Sequence, residues 1–420
     1  MKETKFKQTE VGLIPCDWEV YELGQLYNIT SSKRVFQKDW TTAGIPFYRA
    51  REIAVMSTGK TPEEDLFITK EMFESYTKQY GRIKENDVLI TGVGTLGKVY
   101  VVKQHDEFYF KDGNIIWLQW KGKNSSSLLK QFYETEIVIN QIFGNSGGST
   151  VATYTIANAK KTKLPLPPTI EEQKRIAQAL SDVDAVISTT EKLIAKKKAL
   201  KQGTMQTLLS GKMRIQNGKW TKTTNFKQTE LGPIPQDWEV KTFKSVATLV
   251  NGRAYAQSEL LERGKYKVLR VGNFGTNDAW YYSNLELPEK MYCRKGDLLY
   301  CWSCTYGAYI WNGEKTIYHY HIWKIIDIKV DKKFLQYILN SDVDAQMNCS
   351  NGSTMSHITK GFLENRLFIF PVQIEEQTAI ATVLSDMDAE ISALETKLAK
   401  YRQLKTGIMQ QLLTGKVRLV

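Results

Sequence analysis

The sequence has few thiols and no long apolar run, and these absences exclude two classes of protein. Its five cysteines are odd in number and mostly unmatched between the two halves of the chain, which argues against a disulfide framework and favours a reducing compartment. No run approaches about 18 consecutive apolar residues, so no membrane-spanning helix is expected. The first five residues have no apolar run behind them that would indicate a secretory signal. The sequence therefore predicts a cytoplasmic protein that makes no membrane contact.

Motifs for autonomous catalysis are also lacking. The four histidines form no H-E-x-x-H motif, and no G-x-S-x-G elbow is present. Residues 92–99 (GVGTLGKV) resemble a phosphate-binding loop, but the residues that follow predict a strand, whereas such loops lead into a helix N-terminus. A tight β-turn is therefore favoured over a nucleotide site. We predict a non-catalytic chain that needs no cofactor.

The remaining candidate for a chemical site is a zinc site in the second half of the chain. Cys301 and Cys304 have zinc-ligand spacing, and His319 and His321 follow downstream. The aligned positions of the first half carry no metal-binding side chains, so the shared frame does without a metal there. Buried free thiols are the simpler interpretation, and we predict no metal.

The size and charge of the chain indicate a multidomain protein with a polyanionic partner. Its 420 residues exceed the length at which one core keeps growing, and a hydrophobic content of 42% is ordinary for a folded protein. The formal net charge is +12, and clustered Lys and Arg gain affinity for nucleic acid by releasing counterions from its phosphates. Charge alone does not identify the partner.

The most informative feature is an internal repeat. Residues 6–20 (FKQTEVGLIPCDWEV) return as residues 226–240 (FKQTELGPIPQDWEV), and residues 170–215 return as 374–419. The segments between these blocks share little. A frame that repeats while its contents vary indicates two different recognition surfaces in one geometry.

Both copies of the second block predict a long helix with a narrow apolar stripe. Each block begins after prolines, carries two glutamates in its first turn and closes near Gly211 or Gly415. The apolar residues alternate three and four apart, as in a coiled coil. The predicted helix–helix seam consists of Ile176, Leu180, Val183, Ile187, Ile194, Ile380, Leu384, Met387, Ile391, Leu394 and Leu398. The alternative is that each stripe faces its own globule.

The intervening segments predict short strands joined by turns, with short helices near 126–142 and 332–347. The predicted fold class is α/β (α+β). We expect two globular domains in a pseudo-twofold arrangement, separated by two long antiparallel coiled-coil helices.

Basic residues near glycines and aromatic residues are candidates for DNA binding. Alignment of the halves at Trp18 and Trp238 places Lys33 beside Arg253 and Arg49 beside Arg270. At loop edges these side chains could reach phosphates or guanine edges. Ordinary solvated surface charge is an equally simple interpretation of any one of them. The lysines along both predicted helices could likewise flank a duplex or only solubilise a coiled coil.

Taken together, the repeated motifs resemble the specificity (S) subunit of type I restriction-modification enzymes, the HsdS family. The resemblance rests on the two IPxDWEV segments, on the Asp-containing strand starts at 86–89 and 296–299, on GST at 148–150 and 352–354, and on the two IEEQ helices that end in LL(S/T)GK. These motifs occur in cyclic order over nearly the whole chain. The resemblance divides the chain into a first target recognition domain (1–165), a first conserved long helix (166–216), a linker with the second target recognition domain (217–370) and a second conserved long helix (371–420).

The resemblance implies a DNA-recognition subunit that is not itself an enzyme. Each recognition domain would bind one half of a bipartite site in double-stranded DNA. The helices would dock two methyltransferase (modification) subunits, and restriction subunits would join to cleave DNA. The alternative is a coiled-coil protein-binding scaffold without sequence-specific DNA recognition.

Overall fold

A computed structural model of the protein describes residues 5–63, 65–144, 153–275, 277–303, 306–343 and 358–420. The chain divides into two compact units. Unit 1 comprises residues 1–191 and 396–420, and unit 2 comprises residues 192–395. The predicted GST motifs at 148–150 and 352–354 lie outside the described residues, as does Cys304.

Unit 1 is built mainly from short strands. They are β1 (Phe6–Thr9), β2 (Gly12–Pro15), β3 (Glu19–Glu22), β4 (Tyr27–Thr30), β5 (Ile45–Tyr48), β6 (Phe67–Ile68), β7 (Val88–Thr91), β8 (Val99–Val101), β9 (Tyr109–Phe110), β10 (Ile115–Trp120) and β11 (Lys163–Leu166). The short helices are α1 (Leu23–Leu26), α2 (Ala50–Ser57), α3 (Lys70–Tyr80), α4 (Ser126–Phe132), α5 (Glu136–Gly144) and α6 (Ile156–Lys161), and a 3₁₀ turn spans Gln37–Asp39. A long helix, α7 (Ile170–Leu209), follows and continues into unit 2.

Unit 2 repeats much of this order. Its strands are β12 (Met213–Gln216), β13 (Lys219–Lys222), β14 (Phe226–Thr229), β15 (Gly232–Pro235), β16 (Trp238–Thr242), β17 (Thr248–Asn251), β18 (Tyr266–Leu269), β19 (Tyr281–Ser283), β20 (Tyr292–Cys293), β21 (Leu298–Cys301), β22 (Gly307–Ile310), β23 (Thr316–Tyr318), β24 (Ile322–Ile326) and β25 (Leu367–Pro371). The helices are α8 (Phe243–Val246), α9 (Lys332–Ser341), α10 (Lys360–Asn365) and the long α11 (Ile374–Leu412), with 3₁₀ turns at Gln257–Glu259, Val271–Phe274 and Glu289–Met291.

The larger sheet has the same strand order in both units. It is β4-β10-β7-β8 in unit 1 and β17-β24-β21-β22 in unit 2, with every neighbouring pair antiparallel. Unit 1 confirms the predicted turn at 92–98, because β7 and β8 form an antiparallel pair on either side of it and no helix follows. The short helices predicted near 126–142 and 332–347 are present as α4, α5 and α9.

A smaller mixed sheet is also shared. The order is β6-β5-β9 in unit 1 and β19-β18-β23-β20 in unit 2. In each unit one pair of this sheet is parallel: β5 with β9, and β18 with β23. The carboxyl ends of a parallel pair lie at one edge, and the residues that follow the two strands are therefore brought together there.

The two long helices begin and end where the sequence predicts. Glu171 and Glu172 occupy the first turn of α7, and Glu375 and Glu376 that of α11, where carboxylates favour the positive end of the helix dipole. Beyond the last turns, Gly211 and Gly415 have φ values of 69° and 68°. Such left-handed residues are common after helix C-termini because glycine lacks a Cβ atom.

The start of each long helix packs into the globule that precedes it in the chain. Ile176 and Leu180 are buried in a core that also contains Trp18, and Ile380 and Leu384 are buried in the core around Trp238. The same cores include the last turn of the other long helix, through Leu412 in unit 1 and Leu208 in unit 2. At its beginning, each apolar stripe therefore contacts its own globule, which is the alternative that the sequence left open, as well as the other helix.

Ion pairs show that the helix segments within each unit are antiparallel. In unit 1, Arg402 bonds to Glu191 at 2.6 Å and Lys405 to Asp184 at 2.7 Å. The matching set in unit 2 joins Lys197 to Glu390 at 2.6 Å and Lys201 to Asp388 at 2.5 Å. In both sets, higher numbers on one helix pair with lower numbers on the other. These lysines and this arginine therefore have carboxylate partners on the neighbouring helix, and so does Lys198, which pairs with Glu395.

Candidate nucleic-acid interface

The four predicted DNA-binding residues lie beside the parallel strand pair of each unit. Arg49 directly follows β5, and Arg270 directly follows β18. The backbone N–H of Lys33 donates to the Tyr109 hydroxyl on β9 at 2.9 Å. The backbone N–H of Arg253 donates to the Tyr318 carbonyl at the end of β23, at 3.2 Å. Residues that the sequence alignment matches therefore occupy matched positions in the two units.

Two of these side chains are already occupied by carboxylates. The Arg49 guanidinium donates two hydrogen bonds to Glu52, at 3.0 and 3.2 Å. Arg253 forms a two-point pair with Glu259, with both bonds at 2.8 Å. Although burial acts to raise the pKa of Glu52, its hydrogen bonds from Arg49 and Arg51 hold it below the ordinary value. The Arg49–Glu52 pair holds the turn that follows β5, and the Arg253–Glu259 pair holds the segment that follows β17.

The other two side chains are available within the described part of the chain. Lys33 is exposed, and its ammonium lies 5.4 Å from the centre of the Tyr80 ring without an ion pair. The Arg270 guanidinium lies 4.2 Å from the centre of the Tyr281 ring and makes no hydrogen bond to any described residue. Its Nε atom is buried and has no acceptor among those residues. Each unit thus presents one available cation against a tyrosine.

Each of the two sites contains one further residue that the sequence did not indicate as a DNA contact. Lys111 follows β9 and His319 follows β23, so each lies at the edge where the parallel pair ends. Their N–H groups donate to the carbonyls of Tyr48 and Leu269 at 2.8 and 2.9 Å, next to Arg49 and Arg270. The parallel pairing could not be predicted because both strands are short and far apart in the chain.

His319 is uncharged at neutral pH. Its ring stacks on Tyr255 with 6.3 Å between centroids and lies 4.9 Å from the ring of His321. Burial, with smaller effects from His321 and Arg270, lowers the pKa of His319 to about 4. The imidazole therefore presents one donor and one acceptor instead of a second positive charge beside Arg270.

Aromatic rings surround both sites with surfaces on which bases could stack. Tyr80 is 40% exposed near Lys33, and Tyr320 is 39% exposed near His319. Base stacking on aromatic rings contributes about 1–3 kcal/mol per base where it occurs. Aromatic rings, positive charge and strand ends therefore combine at matched places in both units.

The described residues contain no group of three or more His, Cys, Asp or Glu side chains suited to a metal ion. Cys301 is fully buried, and desolvation raises the pKa of its thiol well above the ordinary value. These properties fit the interpretation of Cys301 as a free core thiol. None of the described helices is both long enough and apolar enough to cross a membrane.

Comparison with known proteins gives the same family as the repeated motifs. The sequence model of the type I restriction modification DNA specificity domain matches residues 15–199 and again residues 235–402. The specificity subunit of the type I restriction enzyme MjaVIII from Methanocaldococcus jannaschii is 27% identical, with 100% of this chain and 97% of that protein covered. A putative type I restriction enzyme specificity subunit from Haemophilus influenzae is 31% identical over 172 residues, 41% of each chain.

Solved structures agree at the level of the fold. The type I restriction-modification S subunit from M. genitalium superposes with a TM-score of 0.60 at 13% identity, covering 97% of this chain and 98% of that one. A chain from a type I restriction-modification system, studied for complex assembly and conformational transition, gives a TM-score of 0.53 at 17% identity, covering 96% and 99%. Because the specificity-domain model matches most of the chain in two copies, this protein belongs to the type I restriction-modification DNA specificity family.

Proposed function

We propose that the two units bind the two halves of one bipartite DNA site. The observation that carries the proposal is the recurrence of one site at the end of the parallel pair in each unit, with different side chains in the two copies. Lys33 supplies an available cation in unit 1, and Arg270 does so in unit 2. Arg49 and Arg253 are paired with Glu52 and Glu259 and hold the adjoining segments in place. Different side chains in one frame would make the two half-sequences different.

The long helices would set the spacing between the half-sites. A helix of about 40 residues is about 60 Å long, and one DNA turn measures about 34–36 Å. If each unit must meet its half-site in the correct helical phase, the number of base pairs between the halves becomes part of the specificity. Binding would then require both half-sequences and one spacer length.

We further propose that two modification subunits dock on the long helices, one for each repeat, and that restriction subunits join them. Leu200 on α7 is 55% exposed, and its repeat counterpart Leu404 on α11 is 53% exposed. Exposed leucines at matched repeat positions suit an apolar contact with two copies of one partner. The chain itself would supply recognition, whereas its partners would supply chemistry.

Selection from a pool of random DNA duplexes tests the DNA-binding role. The full chain should retain duplexes that share two short conserved sequences at a fixed separation, and its affinity for random duplex should fall steeply as salt rises. A protein-binding scaffold would show no retention at any salt concentration. Retained duplexes without a common sequence would contradict specific recognition.

A further inference from the structure

In both units, a side chain caps the backbone of the turn that follows the first strand of the parallel pair, β5 or β18. The N–H of Arg49 donates to Glu52 Oε2 at 2.8 Å, and the N–H of Arg270 donates to Asn273 Oδ1 at 3.0 Å. The capping residue is three positions downstream in each case. The two copies therefore share a backbone arrangement and differ in the chemistry of the cap, a carboxylate in unit 1 and an amide in unit 2.

This difference decides what the arginine side chain can do. A carboxylate has two oxygens and about four acceptor positions, so Glu52 caps the turn and also binds the Arg49 guanidinium. An amide has one oxygen. Asn273 Oδ1 caps the turn, while its Nδ2 donates to the carbonyls of Asn277 and Ala279, both at 3.0 Å. Asn273 thus offers the Arg270 guanidinium no negative charge.

Arg270 is held in place by contacts that leave its terminal nitrogens available. The guanidinium lies against Tyr281, and its Nε donor is buried without an acceptor among the described residues. The neighbouring Arg253 is occupied by Glu259 and does not compete for a ligand. Buried donors normally have partners, so an orphaned one on a fixed guanidinium indicates a ligand that supplies acceptors.

A free guanidinium at the proposed DNA-binding edge has the geometry to bind one particular base, guanine. Arginine donates two parallel hydrogen bonds to O6 and N7 of guanine in the major groove, whereas a lysine ammonium acts as a point charge. We infer that Arg270 reads a guanine in the half-site bound by unit 2, and that Asn273 is a positioning residue that keeps this guanidinium available. Glu52 withholds the equivalent Arg49 from base contact in unit 1. The inference rests on the proposed function.

The test is selection of random duplexes by the full chain and by five variants. Arg270→Ala should lose the preference for guanine at one position of one half-site, by about 5- to 150-fold, and leave the other half-site unchanged. Arg270→Lys should retain binding to random duplex but lose the same preference, since it keeps the charge and lacks the fork. Asn273→Glu should relax the same position, because the new carboxylate can bind Arg270 as Glu52 binds Arg49.

Arg294→Ala is the matched control. Arg294 lies in the same unit, carries the same charge and pairs with Glu289 on an exposed surface, with 59% of its side chain accessible. This variant should keep both half-sequences. Thermal unfolding of every variant identifies any that fails to fold, and Arg270→Lys then carries the test if Arg270→Ala is unstable.

The outcomes separate this inference from the proposed function. If Arg270→Ala or Arg270→Lys keeps the full preference, or if Arg270→Ala weakens all sequences equally, Arg270 reads no base and the inference is overturned while bipartite recognition stands. A double variant Arg270→Ala/Asn273→Glu that relaxes a second position would also contradict it, since Asn273 is inferred to act only through Arg270. If the unaltered chain selects no common sequence, the proposed function fails and the inference fails with it.

Discussion

In each unit, one arginine pairs with two carboxylates beside the core tryptophan. Arg418 bonds to Glu172 at 2.6 and 2.8 Å and to Asp17 with both bonds at 2.9 Å, and its guanidinium lies 5.8 Å from the Trp18 ring. Arg214 makes the same contacts in unit 2, with Glu376, Asp237 and Trp238. The hydrogen bonds that both arginines donate to these carboxylates outweigh burial and raise the pKa of both guanidinium groups.

Arg418→Ala should strongly destabilise unit 1. The Glu172 side chain is only 1% exposed, so removal of its partner leaves a buried carboxylate without a counter-charge. Breaking such a pair typically lowers the free energy of unfolding by about 3–5 kcal/mol. Denaturant unfolding of the full chain would measure the loss. Arg418→Ala/Glu172→Gln should recover part of it, and an unchanged midpoint for Arg418→Ala would contradict the assignment.

His319 should make the stability of unit 2 depend on pH. Its folded-state pKa, about 4, is below its ordinary value of 6.5. Between these values the unfolded chain binds a proton that the folded chain does not, so the free energy of unfolding falls as pH decreases from 6.5 towards 4. His319→Gln should reduce the difference in unfolding midpoint between pH 7 and pH 5. Equal differences in the variant and the parent would show that His319 does not carry this dependence.

At the scale of the helices, glycine has two distinct roles. Gly203 and Gly407 lie inside α7 and α11, and a Cβ atom there would meet nothing within 4 Å. At Gly211 and Gly415, beyond the helix ends, a Cβ atom would overlap the rings of Pro235 and Pro15. The positive φ values at these two positions add strain for any residue with a side chain.

Gly415→Ala and Gly407→Ala should therefore have opposite effects. The first should lower the free energy of unfolding by about 2 kcal/mol or more, from left-handed strain and overlap with Pro15. The second should raise it by about 1 kcal/mol through better helix propensity. Thermal unfolding of both variants, with Gly211→Ala and Gly203→Ala as the repeat-matched pair, measures these shifts. Shifts of the same sign would contradict the argument.

The exposed leucines of the long helices should affect assembly and not DNA reading. Leu200→Asp and Leu404→Asp place a charge in each proposed docking contact and should reduce co-purification with modification subunits, the double variant most of all. Gln206→Asp and Gln410→Asp are matched controls, since both glutamines are exposed repeat counterparts on the same helices. If the leucine and glutamine variants behave alike, these leucines do not form the docking site.

The long helices and several strands of the larger sheet could be predicted from the sequence because their signals are local. Proline, paired glutamates and glycine mark the helix ends, and β-branched runs mark β7 and β10. The chemistry of the candidate site depended on side-chain partners that no pattern specifies. Arg49 and Arg270 align in sequence, yet Arg49 pairs with Glu52 and, at 3.7 Å, with Asp65, whereas the matching cap Asn273 offers Arg270 no carboxylate. The role of Lys111 and His319 required the parallel pairing of strands about 50 to 60 residues apart.

At the scale of the whole molecule, helix length should determine the DNA spacer. Deletion of residues 187–193 and 391–397 removes one heptad from each helix and preserves the apolar phase. Each helix shortens by about 10 Å, which corresponds to roughly three base pairs at about 3.4 Å each.

Duplexes selected by this deletion variant should keep both half-sequences and show a different separation between them. Deletion of seven residues from α7 alone serves as the control, since it breaks the match between the helices and should reduce binding. Altered half-sequences in the double deletion would contradict the role of the helices as spacers.

Arg214 and Arg418 also determine the order in which the two globules of a newly made chain can form their ion pairs. Arg214, Asp237 and Glu376 all lie within residues 192–395, whereas Asp17 and Glu172 need Arg418. Although domains usually fold as they leave the ribosome, the globule translated first lacks its final counter-charge until residue 418 has been added. In a nascent chain of 395 residues, the later globule already contains both carboxylate partners of Arg214. The earlier globule still has a buried, unpaired Glu172, so this globule is the one exposed to proteases and chaperones.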